Sequence, residues 1–494
     1  MDVISELVRL LQGGLGNLAA YLAAHVLLCL LPAFYIAGAM TALIPKNTVT
    51  RFLGHNTPKV ISYPAAALAG SVLAVCSCTI VPIFAGIYKK GAGIGPAITF
   101  LFFAPAANIL ALIYTGGMIG TDLAFARLFL SLAFGIGIGL IMALIFRRDD
   151  ESHDRSTDIM FAAQNAQGMR KTSLAFLLIL VVLLLTGTLK VSLLTDSYAQ
   201  TTLPIPGVEK FQETLDRIVP YDDSKGEEGV SVQGVILIIL LAMIGLASWK
   251  GFENIHAGFN RWTWIALGLT GLTLEVAALR MNASSDGLIL SMPGKFIGVF
   301  LALSALFWLG RFRLSEDDLR DFLWESWHFV RQIFPLLIVG VTAVGMIRVI
   351  IRPEWIESLA GSNSILGNVA GVAFGVFMYF PTLVEVPIAN MFLDLGMHRG
   401  PLLAYLMADP ELSLQSILII STIIGRRKAW IYVGWVALFS TLAGLIYGNY
   451  EDGASLWSVT LYVVAFLAML VLILYLVNRR SQQKAATHKM ATAD

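Results

Sequence analysis

Apolar runs of about 20 residues recur along the chain, divided by short polar stretches. Each run is long enough to cross a hydrocarbon core of about 30 Å as a helix. None shows the two-residue alternation of a barrel strand, and in lipid only helices and closed barrels satisfy every backbone group. The pattern predicts membrane segments near 17–45, 60–88, 92–118, 123–146, 173–194, 231–248, 262–279, 291–310, 329–351, 364–392, 400–424, 429–447 and 456–477. The expected fold class is an all-α membrane protein, a polytopic helical bundle in the cytoplasmic membrane with lipid as its surroundings. Before the first segment, Val3, Leu7, Leu10 and Leu11 share one helical face, which predicts an interfacial helix over 1–16. The run from Leu15 to Ile44 is too long for a signal peptide and is read as retained.

Composition agrees with the pattern. Of 494 residues, 57% are hydrophobic and 14% charged, against about 25% charged in soluble domains. A net charge of +1 offers nucleic acid no basic surface. The three cysteines form no disulfide framework, the His and Cys spacing suggests no zinc site, and no cofactor is expected. No GxxxxGK[ST] motif marks an ATPase.

Loop charge sets orientation. Arg147, Arg148, Arg155, Arg170 and Lys171 make the 149–172 linker cytoplasmic, whereas the 195–230 loop, with eight acidic and three basic residues, reads as external. Arg311, Arg313, Arg320 and Arg331 return the chain to the cytoplasm, and the tail 479–494, with Arg479, Arg480 and Lys484, is cytoplasmic and disordered by composition. Arg352–Asn363 then falls outside and Gly425–Lys428 inside. That parity requires a broken or re-entrant helix in 364–392 or 400–424, and each contains a means: "YFPTLVEVP" at 379–387 and "MADPELS" at 407–413.

The same devices occur near the N-terminus. At a constant offset of 305 residues, Pro82 pairs with Pro387, Gly91 with Gly396, Gly95 with Gly400, Pro96 with Pro401 and Pro105 with Pro410. Gly70 pairs with Gly375, and Pro32 approximately with Pro335. Loop charge orients the two copies oppositely. Two inverted repeats, 17–148 and 325–447, with paired breaks at Pro82, Pro105, Pro381, Pro387 and Pro410 are the mark of many secondary transporters. The bland alternative is that these residues only kink helices or permit close packing. Between the repeats, 173–324 reads as a scaffold or dimerisation module, which would make a homodimer, and its external loop carries an amphipathic helix over Val208–Ile218. A last transmembrane helix occupies 448–478.

"CSCTIVPIFAGIYKKGAGIGPAITFLFFAPAANILAL" at 76–112 resembles a signature of the predicted permease family of ArsP and YraQ. "FPTLVEVPIANMFLDLGM" and "GPLLAYLMADPELSLQS" resemble its second signature, and the resemblance covers roughly 17–148 and 325–447. It implies efflux of trivalent organoarsenicals, with arsenite or antimonite for some relatives. The long middle region departs from the shorter members.

The candidate chemistry lies at the breaks. Soft thiolates suit soft acceptors such as trivalent arsenic, so Cys76 and Cys78 are candidate ligands for a metalloid substrate. On a regular helix they diverge by about 200°, so convergence needs unwound backbone near Pro82. Packing as small hydrophobes is the alternative. Glu385, between Pro381 and Pro387, is an ionisable group at membrane depth and a candidate for substrate or proton binding. Asp409 and Glu411 flank Pro410 as further proton-coupling candidates, with a surface loop as the alternative. Thr79 and Asn108 are the neutral counterparts in the first copy, Asn108 suited to bind substrate or cap a half-helix. His25 reads as packed, Glu275 as paired with Arg280 or snorkelling, and Lys89 and Lys90 as a segment end. The reading that unites these features is a permease, not an enzyme, that exports a small soft or hydrophobic solute. A thiol-dependent or lipid-processing membrane enzyme and an uncoupled pore are the alternatives.

Overall fold

Glycine and proline decide where the apolar runs break. The computed structural model describes residues 3–24, 26–72, 77–161, 170–189, 191–219, 229–350, 353–377 and 382–455, together with 457, 461, 464 and 468. Its first part holds α1 (Val3–Ala24), α2 (Val26–Leu43), α3 (Lys46–Leu53), α4 (Lys59–Val72), α5 (Ser77–Lys89), α6 (Ile94–Ala106), α7 (Ile109–Met118) and α8 (Thr121–Ile145). At 13 residues each, α5 and α6 reach only about 20 Å, less than a hydrocarbon core. The turn between them passes through Gly91 at φ +90°, where a side chain would be strained. The run beginning at Ile94 breaks after Ala106, and Asn108 starts α7 by accepting from the Ala111 amide at 2.8 Å.

The polar helix α9 (Arg147–Met160) lies against the same end of this unit. Asp150 accepts from the Ile94 amide at 2.9 Å and from His55 Nδ1 at 2.8 Å. Lys46, only 1% exposed, donates to Asp154 and Asp158, both at 2.7 Å. The His153 ring stacks on Tyr88 with centroids 4.3 Å apart. A segment expected to be a linker is thus a docked helix.

The middle of the chain folds into α10 (Lys171–Thr188), β1 (Ser197–Leu203), α11 (Val208–Ile218), α12 (Val232–Phe252), α13 (Arg261–Ala278), β2 (Arg280–Ser284), β3 (Gly287–Pro293) and α14 (Gly294–Phe312). The amphipathic helix has the bounds read from the sequence. The all-α expectation needs correction: an antiparallel sheet of order β1-β3-β2 joins one end of these helices. A tight turn through Gly287 at φ +126° returns β2 into β3, and the ladder satisfies backbone groups beyond the helix ends. Glu275 does not pair with Arg280. Arg280 opens β2, and neither Glu275 carboxylate oxygen has a hydrogen-bond partner.

The last part holds α15 (Glu316–Arg348), α16 (Pro353–Ala360), α17 (Ile365–Phe377), α18 (Thr382–Asp394), α19 (Arg399–Leu412), α20 (Leu414–Ile424) and α21 (Arg426–Glu451). The 400–424 run is broken as the charge parity required: α19 and α20 meet at Ser413 with a bend of 47°. The 364–392 run is also two helices, α17 and α18, on either side of 378–381, which fall outside the described residues. So does most of the proposed last helix and all of the tail.

The offset seen in the sequence reappears in the elements. α18 begins and ends 305 residues after α5, and α19 and α21 begin 305 residues after α6 and α8. Gly396 takes φ +89° where Gly91 takes +90°. Close helix crossings recur as well. A Cβ on Gly95 would lie 3.0 Å from the Gly139 carbonyl, and one on Gly400 would lie 2.9 Å from the Gly444 carbonyl. Likewise α4 passes α6 at Gly70 and Ala104, and α17 passes α19 at Gly375 and Asp409. Between the two parts α6 packs on α19 and α8 on α21, while α7 packs on α18 and α20 on α5. Seven helices among the described residues, α6 and α7 counted together as one, are long and apolar enough to cross a membrane, or up to nine if the bent pairs α1 with α2 and α19 with α20 are each one span. The chain is a multi-pass membrane protein.

Candidate functional site

The C-terminal end of α6 leaves carbonyl groups without helical donors. One is claimed from outside the helix: Arg127 on α8 donates Nε to the Ala106 carbonyl at 2.6 Å. Its Nη1 donates to the Thr115 hydroxyl of α7 at 3.2 Å, and its Nη2 to Glu385 Oε1 of α18 at 2.9 Å. Arg127 and Glu385 are both 0% exposed. One guanidinium therefore joins the two halves of the broken span to the opposite part of the molecule. Burying a charge is costly unless hydrogen bonds offset the lost water, and on the Arg127 side three acceptors do so.

Arg127 is not among the candidate residues named from the sequence. A lone arginine inside the apolar run "FARLFL" was a signal in itself, because an ionisable group in a membrane span is costly. Its partner 258 residues away was not legible.

The other break is built from comparable parts. Tyr432 on α21 donates to Glu411 Oε2 at 2.5 Å, and Ser413 caps α20, its hydroxyl accepting from the Ser416 amide. Tyr432 and Arg127 are related by the 305 offset, as are Glu411 and Ala106, and Ser413 and Asn108. Asp409 and Glu411 are 0% and 2% exposed, so the surface-loop alternative does not describe them. The Tyr405 side chain of α19 is buried within electrostatic range of Asp409, Glu385, Arg348 and Arg127. Several polar atoms here have no hydrogen-bond partner: Glu385 Oε2, Glu411 Oε1, the Tyr405 hydroxyl and both amide atoms of Gln415. Buried polar groups are nearly always paired with protein or water, so this group of atoms can receive a proton, water or a polar ligand.

Among the remaining expected residues, Thr79 is buried near the start of α5 and hydrogen-bonds the thiol of Cys29, the buried cysteine that the sequence reading left aside. Asn108 is buried and spends its side chain on the break, accepting from Ala111 and donating to the Pro105 carbonyl at 3.4 Å. Pro82 and Pro387 sit at matching positions inside α5 and α18, and Pro105 and Pro410 lie one turn or less before the two breaks. Cys76, Pro381 and His25 lie outside the described residues, as does the side chain of Cys78. Among the described residues no group of three or more His, Cys, Asp or Glu side chains could hold a metal ion.

A family described as "Predicted permease", ArsP_1, matches residues 13–449. The chain belongs to this permease family. The match runs through the middle region, so α10–α14 lie within the family range. UPF0718 protein MJ0584 of Methanocaldococcus jannaschii is 32% identical over 449 residues, covering 91% of this chain and 98% of the relative. UPF0718 protein YraQ of Escherichia coli is 29% identical over 118 residues, 24% of this chain and 34% of that protein. No solved structure matches. Family membership separates the chain from the thiol-enzyme alternative: it is a membrane permease with no enzymatic assignment.

Proposed function

We propose that the protein is a secondary-active permease that exports a small soft or hydrophobic solute, a trivalent arsenical or related metalloid being the favoured class. Its two parts, 17–148 and 325–447, act as inverted repeats that meet at their broken helices. The observation that carries this reading is the Arg127–Glu385 pair, which places opposite charges at membrane depth where one break touches the other repeat. Reciprocal packing supports it: α7 on α18 is answered by α20 on α5, as a two-fold relation requires. Opposite loop charge is what a two-fold axis lying in the membrane plane would give.

In this reading Glu385 exchanges a proton for its bond to Arg127, with Asp409 and Glu411 extending the polar path. Cys76 and Cys78 supply soft ligands near the start of α5, with Thr79 and Asn108 as neutral polar contacts. The metalloid is cargo, not a resident metal. The uncoupled pore remains the second reading, distinguished by flux far above carrier rates.

The test is a resistance screen in a sensitive host, comparing trivalent methyl- and phenylarsenicals, arsenite and antimonite with and without the protein. Protection against at least one is expected, with counterflow of that compound in proteoliposomes. Absence of protection against all of them overturns the substrate class.

A further inference from the structure

A cavity of about 570 Å³ lies between the middle helices α10, α13 and α14 and the permease helices α2 and α15, away from the broken helices. We propose that it holds one acyl chain of an anionic phospholipid whose phosphate sits on Arg311. Its volume falls in the range of small-molecule sites. Its walls are leucine and aromatic side chains, with Tyr35 and Thr270 as the polar pair at mid-depth, their hydroxyls 3.5 Å apart.

Three observations select this occupant. The first is depth. On α13 the lining runs from Trp264 to Leu274, a rise of about 15 Å, which is one leaflet of a core of about 30 Å. The second is the opening. Trp264 and Phe307 border the cavity and are 53% and 66% exposed, on the surface that faces lipid in a membrane-spanning bundle. The third is charge. Arg311 lines the cavity from the last turn of α14, over the Phe312 ring, and among the described residues it makes no ion pair. Glu316, which also lines the cavity, is taken by Arg320 at 2.8 Å. A neighbouring apolar cavity between α2, α12 and α15 makes the contrast: its rim arginine, Arg331, is already paired with Glu253 at 2.8 Å. A guanidinium without a counter-ion at the depth of the lipid phosphates attracts an anionic headgroup. The lipid would fill the joint between the middle module and the permease body.

The glycine at 271 supplies a clean test. A Cβ there meets nothing within 4 Å, so Gly271→Leu fills the cavity without displacing backbone. Full-length protein, delipidated and returned to nanodiscs of phosphatidylcholine with phosphatidylglycerol, is washed in detergent and its retained lipid measured by mass spectrometry. Wild type retains phosphatidylglycerol in preference to phosphatidylcholine. Arg311→Gln keeps the retained lipid but lowers that preference about fivefold. Gly271→Leu loses the retained lipid while keeping the elution profile and melting temperature of wild type. Should either variant fold poorly, phosphatidylglycerol brominated on its acyl chain replaces it: it quenches wild-type tryptophan fluorescence, and Trp264→Phe removes that component. Equal retention of both lipids by wild type, unchanged retention in Gly271→Leu, or a non-lipid molecule released by that substitution each overturns the proposal.

Discussion

The rings of Phe134 and Phe439 meet edge to face with centroids 4.8 Å apart. The two residues are separated by the same 305 positions that relate Pro82 to Pro387 and Arg127 to Tyr432. In any two-fold arrangement of repeats, a residue that touches its own counterpart lies on the axis. In the proposed function α8 and α21 cross at that axis.

The first prediction concerns the central ion pair. Arg127→Ala strands the Glu385 carboxylate and the Ala106 carbonyl in a fully buried site, so stability falls by about 3–5 kcal/mol. Glu385→Gln keeps a hydrogen-bond acceptor for Arg127 and is milder. Thermal unfolding in detergent of both single variants and the double variant measures the coupling. Strict additivity means that the two side chains do not act as a pair.

Glu385→Gln also separates coupling from folding. It abolishes uptake driven by a pH gradient in inverted vesicles while leaving the elution profile unchanged. Undiminished uptake assigns the proton to another group, and Glu411→Gln is then the next variant to measure.

Caps at the breaks make a matched pair. Asn108→Ala and Ser413→Ala each remove the side chain that starts the second half of a broken span, at a cost of about 1 kcal/mol. Asn108 also holds the Pro105 carbonyl, so its loss costs more. Equal melting temperatures for both variants and wild type would show that the breaks are held by other contacts.

Glycine substitutions distinguish close crossings from spare room. A Cβ on Gly139 would lie 2.6 Å from the Gly95 carbonyl, so Gly139→Ala costs about 1–3 kcal/mol through overpacking. Gly434 meets nothing within 4 Å, and Gly434→Ala leaves yield and melting temperature at wild-type values.

The substrate class rests on the thiols. Cys76→Ser with Cys78→Ser removes metalloid resistance at normal expression, whereas a packing role leaves resistance intact. Resistance retained by that double variant removes the soft-ligand argument but leaves the proton-coupling one standing.

Much of the architecture was legible because it depends on local chemistry. Proline and glycine weaken a helix locally, so their repetition at one offset pointed to the breaks that follow Pro105 and Pro410, although Pro82 and Pro387, also expected to be breaks, lie inside unbroken helices, and the amphipathic spacing of "VEKFQETLDRI" marked α11. The sheet was not legible, because α11, α12 and α13 stand between β1 and β3 in the chain and no spacing records their meeting. The carboxylates at Glu385, Asp409 and Glu411 could be picked out as out of place in apolar runs. Their partners could not. Tyr432 looked like any aromatic residue in a span, and Arg127 finds its carboxylate on a helix near the other end of the chain. The docking of α9 within the 149–172 linker was not legible, since acidic residues at i, i+4 and i+8 form a binding face only once Lys46 and His55 are opposite them.

That docked helix has a mechanical consequence. Asp150, Asp154 and Asp158 bind the start of α6, the first residue of α3 and the loop that precedes α4, and His153 lies on the Tyr88 ring beside the Gly91 turn. The hairpin tip of α5 and α6 therefore cannot shift alone. It carries α9 with it, and the chain that follows α9 enters the middle module. Any rocking of the first broken hairpin therefore moves the aspartate-rich helix and the hairpin tip as one body.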